Sequence, residues 1–74
     1  MKLRIITPKA PETTAEVTRV FLPGVCGNFE VLRGHAPLLA ALGEGLVRWD
    51  DGQVRISSGF AEVKDDVIKV TAEF

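Results

Sequence analysis

Leu46-Val47-Arg48-Trp49-Asp50-Asp51-Gly52-Gln53-Val54-Arg55-Ile56-Ser57 reads as two strands around a tight turn. Asp-Gly suits the two-residue type I′ turn, whose twist matches that of the strands it joins. With Asp51-Gly52 as that turn, Trp49 falls opposite Val54 and Val47 opposite Ile56 on one face. Asp50 then falls opposite Gln53, and Arg48 opposite Arg55, on the other. The same arithmetic works a few residues on. Around Asp65-Asp66, Val63 faces Ile68 and Ala61 faces Val70 on the buried side, while Glu62 meets Lys69 outside as an opposite-charge pair. Turn chemistry and face pattern agree in both hairpins, as a real sheet requires.

Toward the amino terminus, Lys2-Leu3-Arg4-Ile5 alternates until Pro8 and Pro11 break the pattern. Val17-Thr18-Arg19-Val20-Phe21-Leu22 is β-branched and aromatic enough for a second strand, and its imperfect alternation suggests a bulge. Phe29-Glu30-Val31-Leu32 is a short third strand between glycine turns. Pro37-Leu38-Leu39-Ala40-Ala41-Leu42 has helix-forming residues, but Gly43 and Gly45 stop it within two turns, too short to stand alone as a helix. Short strands with regular turn signals predict an all-β fold, either a two-sheet sandwich or a partly closed barrel. No repeat, low-complexity run or linker divides the chain, so residues 1–74 are expected to form one domain.

A domain this small buries only about 60% of the surface its unfolded chain exposes, so support from a partner is expected. Nine Lys and Arg stand against ten Asp and Glu. That balance lacks the basic footprint of nucleic-acid binding. One cysteine cannot form an internal disulfide, and no signal peptide or bilayer-length apolar run is present, so the chain reads as intracellular and soluble.

Chemistry-bearing residues are few. Cys26 and His35 are a conceivable nucleophile and base, but no orienting third group or oxyanion hole is identifiable, and ordinary loop roles explain both better. A single Cys and a single His do not suggest a zinc site, and the glycine-rich stretch lacks the lysine and hydroxyl of a phosphate loop. Asp50, Asp51, Asp65 and Asp66 fit turn positions better than an acid/base pair. Arg48 opposite Arg55 is destabilising unless something neutralises it. Glu44, Asp50 or another strand could supply the carboxylate; the functional alternative is that both arginines face acidic residues of another subunit. No catalytic, cofactor-binding or metal-binding residue is expected.

Four blocks, in order, carry a family resemblance: Ile6-Thr7-Pro8, Val20-Phe21-Leu22-Pro23-Gly24, Gly34-His35-Ala36-Pro37-Leu38-Leu39, and Ile56-Ser57-Ser58-Gly59-Phe60-Ala61-Glu62-Val63. Together they resemble the epsilon subunit of F-type ATP synthases over essentially the whole chain. The resemblance implies a small two-sheet β-sandwich of about eight to ten short strands, with the segment after Pro37 extended. It also implies a non-catalytic rotor part at the foot of the central stalk, bound to the gamma subunit and to the c-ring of the membrane sector. Carried over by position, Gly27, Asn28, Phe29 and Glu30 fall on the loop that approaches the c-ring. His35, Ala36, Pro37, Leu38 and Leu39 fall on the segment near gamma, where Arg48 and Arg55 are added as the candidate charged contact. The implied location is peripheral, on the cytoplasmic face of a bacterial inner membrane or its equivalent, without lipid insertion, nucleic acid or small-molecule substrate.

Two departures accompany the resemblance. Arg33 stands where the family commonly has proline. No helical segment follows Val70, so the family's helical hairpin, with its inhibition and ATP binding, is expected to be missing and ATP is expected not to shift the melting temperature. A biotinyl or lipoyl carrier would need a lysine at a hairpin tip, whereas the two clear tips are acidic. A stand-alone binding module is the remaining alternative.

Overall fold

The computed structural model describes residues 1–74 as nine strands and no helix. They are β1 (Lys2–Thr7), β2 (Ala10–Glu16), β3 (Arg19–Gly24), β4 (Gly27–Leu32), β5 (Leu38–Leu42), β6 (Gly45–Trp49), β7 (Gly52–Ile56), β8 (Ser58–Lys64) and β9 (Val67–Glu73). Hydrogen bonding runs in the order β2-β1-β9-β8-β5-β3-β6-β7, with β4 on the other side of β3. Only β1 with β9 is parallel. The β5–β3 junction is a single pairing, Gly24 with Leu42, and there the sheet curls over itself. Five strands, β2-β1-β9-β8-β5, make one layer, and β4-β3-β6-β7 make the other.

Alternation decides what lies between the layers. Leu3 and Ile5 of β1, Ala61 and Val63 of β8, and Ile68, Val70 and Ala72 of β9 face inward from the first layer. Val20, Leu22, Val31, Val47 and Ile56 meet them from the second. Fifteen buried apolar residues form one cluster, which Trp49, Val54, Phe29 and Leu38 extend at its margin.

The β8–β9 hairpin has the register read from sequence: Ala61 pairs with Val70, Glu62 with Lys69 and Val63 with Ile68. Asp65 and Asp66 both have positive φ, at 52° and 59°, as a type I′ turn demands. Lys69 Nζ lies 3.7 Å from Glu62 Oε1.

The β6–β7 register is different. Trp49 pairs with Gly52, Val47 with Val54 and Arg48 with Gln53, so Asp50-Asp51 is the turn and the strands are offset by two residues from the sequence expectation. Two interactions account for the offset. The indole of Trp49 lies across Gly52, where any Cβ would come within 2.5 Å of the ring. The Asp50 carboxylate turns away and accepts hydrogen bonds from the Thr18 N–H (2.9 and 3.1 Å), the Thr18 hydroxyl (3.0 Å) and the Arg19 N–H (3.2 Å). An offset of two leaves every side chain on its expected face, because strands repeat every two residues.

Other expectations are corrected. Pro8 and Pro11 do not end the sheet; the chain reverses after Thr7, and β2 returns antiparallel along β1 with a register irregularity between Ile5 and Thr7. Its Pro11 is tolerated because β2 is an edge strand, where a missing N–H breaks no ladder bond. Arg4 secures that edge through two hydrogen bonds donated to Glu12, at 2.7 and 3.1 Å. The second strand begins at Arg19, not Val17, and its pairing with β4 runs without a bulge from Arg19 with Leu32 to Gly24 with Gly27. Leu38–Leu42, by contrast, is extended as expected, forming strand β5 along β8.

Candidate interaction surface around the β3–β4 tip

The β3–β4 hairpin closes through Gly24 and Gly27, leaving Val25 and Cys26 at its tip. The tip does not swing free. Val25 N–H donates to Ala41 C=O at 3.0 Å, and Gly43 N–H donates to Pro23 C=O at 2.8 Å, so the carboxy-terminal end of β5 holds it. After β4 the chain turns at Arg33-Gly34, where His35 N–H donates to Leu32 C=O at 3.1 Å. His35 is half-buried, and its Nδ1 lies 2.7 Å from Ala36 C=O. A carbonyl can only accept, so this contact places the proton on Nδ1.

Between the tip and β5 lies a groove of about 550 Å³, lined by Gly27, Phe29, Glu30, His35, Leu38 and Leu39 among others. Two sets of residues assigned from sequence to different partners therefore border one surface. Phe29 and Leu38 anchor it by packing on the core, whereas Leu39 remains 72% exposed and Val25 63%. Cys26 is an exposed free thiol on the same rim. His35 Nδ1 is engaged with Ala36 rather than with the thiol.

The remaining assigned residues lie apart. Asn28 pairs with Pro23 and borders a separate hollow of about 330 Å³, shared with Phe21, Glu44 and Arg48. Ala36 and Pro37 are exposed in the loop that enters β5. Arg48 faces Gln53, not Arg55, and its guanidinium carbon lies 5.6 Å from the centroid of the Phe21 ring. Arg55 is exposed opposite Leu46. The arginine pair expected across β6–β7 does not form, and neither arginine makes a salt bridge within the chain.

One apolar region escaped the sequence reading. Ile6, Thr71, Phe60 and Ala41 align across β1, β9, β8 and β5, and Phe60 is 58% exposed. They line a second groove, of about 640 Å³, which meets the first at Ala41. The available signal was the outward parity of Phe60, since its neighbours Ala61 and Gly59 pair with the inward-facing Val70 and Ala72.

Comparison with known proteins bears on the domain as a whole. The family model for the β-sandwich domain of the ATP synthase delta/epsilon chain matches residues 1–74. The ATP synthase epsilon chain of Chlorobium limicola is 45% identical over 67 residues, covering 84% of this chain and 76% of that protein. That of Gloeothece citriformis is 38% identical over 74 residues, covering 95% of this chain but 54% of the relative, so the chain spans only about half the length of such relatives. Among solved structures, a chain from the central stalk/c-ring of the Tetrahymena thermophila mitochondrial ATP synthase superposes with a TM-score of 0.84 at 13% identity, covering 99% of this chain and 63% of that one. One from the Euglena gracilis mitochondrial ATP synthase gives 0.79 at 24% identity, covering 95% and 48%. At such identities the structural likeness is one of fold; the sequence matches carry the assignment, and by them the chain belongs to the ATP synthase delta/epsilon chain β-sandwich family.

Proposed function

We propose that this chain is a non-catalytic part of the central stalk of a proton-translocating ATP synthase, joining the gamma subunit to the c-ring so that ring rotation is passed to the shaft. The observation that carries the reading is the family match along all 74 residues. The groove supports it, because it joins the β3–β4 tip to the 35–39 segment in one surface able to meet two partners at once. In this reading Gly27, Asn28, Phe29 and Glu30 approach the c-ring, and His35, Ala36, Pro37, Leu38 and Leu39 meet gamma. Arg48 and Arg55 form a separate contact for acidic residues on the outer face of the four-strand layer. The chain sits peripherally on the cytoplasmic side of the coupling membrane. Its physical contribution is stiffness: the β3 side of the tip is hydrogen-bonded to the carboxy-terminal end of β5, so a load on the tip is transmitted to the sandwich.

Size-exclusion chromatography of the chain with gamma from the same source, with calorimetry for affinity, tests the proposal. A stable stoichiometric complex is expected. Failure of two well-folded proteins to associate would shift the assignment to a stand-alone binding module.

A further inference from the structure

The β8–β9 turn contains a residue that turn geometry alone does not favour. Both central positions have positive φ, and in a type I′ turn the second is the usual place for glycine. Asp66 occupies it at φ 59°. Its side chain reaches a segment 32 residues away in sequence: Oδ1 accepts from Gly34 N–H at 2.7 Å. Its main-chain carbonyl accepts from Lys2 N–H at 2.9 Å. Gly34 is itself at φ 80°, at the point where the chain leaves β4 for His35. The other turn aspartate, Asp65, makes no side-chain hydrogen bond and has the same backbone conformation, which makes it an internal control.

We infer that Asp66 is a positioning residue for the gamma-binding segment: it accepts the left-handed turn conformation in order to hold Gly34 N–H and thereby fix the exit angle of His35 to Leu39. The inference rests on the function proposed above. It predicts a separation between stability and binding that a purely structural turn residue would not produce. Asp66→Gly suits the turn backbone better but removes the acceptor. Asp66→Asn keeps an acceptor oxygen and tolerates the left-handed conformation. Asp65→Gly relaxes the turn without touching Gly34.

The experiment measures melting temperature, amide hydrogen exchange at Gly34 and His35 in the isolated full chain, and affinity for gamma by calorimetry, for wild type and these three variants. Asp66→Gly is expected to melt at or above the wild-type temperature. Its Gly34 amide should exchange about tenfold faster, the scale of one lost charge-assisted hydrogen bond, and it should bind gamma several-fold more weakly. Asp66→Asn and Asp65→Gly should stay near wild type in exchange and affinity. Unchanged exchange in Asp66→Gly overturns the inference, as does faster exchange with undiminished affinity. If wild-type chain does not bind gamma, the underlying functional reading falls, and the inference with it; the exchange data then decide separately whether Asp66 restrains the loop.

Discussion

Asp50 shows how one carboxylate can set a register. It gathers two backbone amides and a hydroxyl from Thr18 and Arg19, and the Thr18 amide, followed by the smaller contributions of its hydroxyl and the Arg19 amide, holds the Asp50 carboxyl below its ordinary value of 3.8. A carboxyl lowered in the folded state stabilises fully above its unfolded pKa and loses that contribution as pH falls through the folded one. Asp50→Asn is therefore expected to melt below wild type at neutral pH, with the gap closing below about pH 4. Thermal melts across pH 7 to 3 check this, and a pH-independent gap would refute it. At the groove, Leu39 is so exposed that Leu39→Asp should leave the melting temperature nearly unchanged while weakening the proposed binding to gamma at least tenfold. Arg48→Glu, in the same assay, reports separately on the four-strand layer; equal losses of folding and binding in Leu39→Asp would place that side chain in the core.

At the scale of the element, the two acidic hairpins show what alternation can and cannot decide. Around Asp65-Asp66 both the faces and the partners were legible, because the turn has a single pair of candidate residues. Around Asp50-Asp51-Gly52 the faces were legible and the partners were not. A slip of two residues keeps every inward residue inward, so the choice fell to Trp49 covering Gly52 and to Asp50 reaching Thr18, neither of which is a local sequence signal. Strand β2 was hidden by Pro8 in the turn before it and by its own Pro11, whose tolerance depends on lying at an edge. Likewise, Gly27, Phe29 and Glu30 and His35, Leu38 and Leu39 were each singled out, but their meeting in one groove depends on the tip's bonds to β5. Phe60 gave only a parity signal. The β6–β7 register is open to a direct test: Gly52→Val inserts a side chain where the indole lies, costing about 1–3 kcal/mol as an overpacking substitution. Trp49 fluorescence should shift to longer wavelength as the ring is displaced. An unchanged spectrum would favour the alternative pairing of Trp49 with Val54.

For the whole molecule, the division of labour between faces follows from its small size. A chain of 74 residues is expected to have roughly 4–11 kcal/mol of stability at typical per-residue values. One thin core between two layers supplies most of it, while the outer face keeps Leu39, Phe60 and Val25 exposed for other uses. Because successive strand residues point to opposite sides, the two roles can be perturbed separately along one strand. Ile68 of β9 is fully buried, paired with Leu3 on one side and Val63 on the other, in the middle of the five-strand layer. Ile68→Ala should cost about 2–5 kcal/mol, roughly a fifth of the total at the least, and lower the urea midpoint accordingly. Leu39 of the groove pairs with Glu62 on the outward side of that layer, away from Ile68, so under conditions where the variant remains folded its affinity for gamma, the proposed partner, should match that of wild type. Gamma should also raise the variant's melting temperature, since a ligand that binds only the folded state stabilises it by about 2.7 kcal/mol at a hundredfold excess over Kd. A loss of stability below about 0.5 kcal/mol would mean that the layers are not packed through Ile68. A loss of affinity in fully folded Ile68→Ala would mean that the core and the binding face are coupled, contrary to the separation of faces that strand alternation implies.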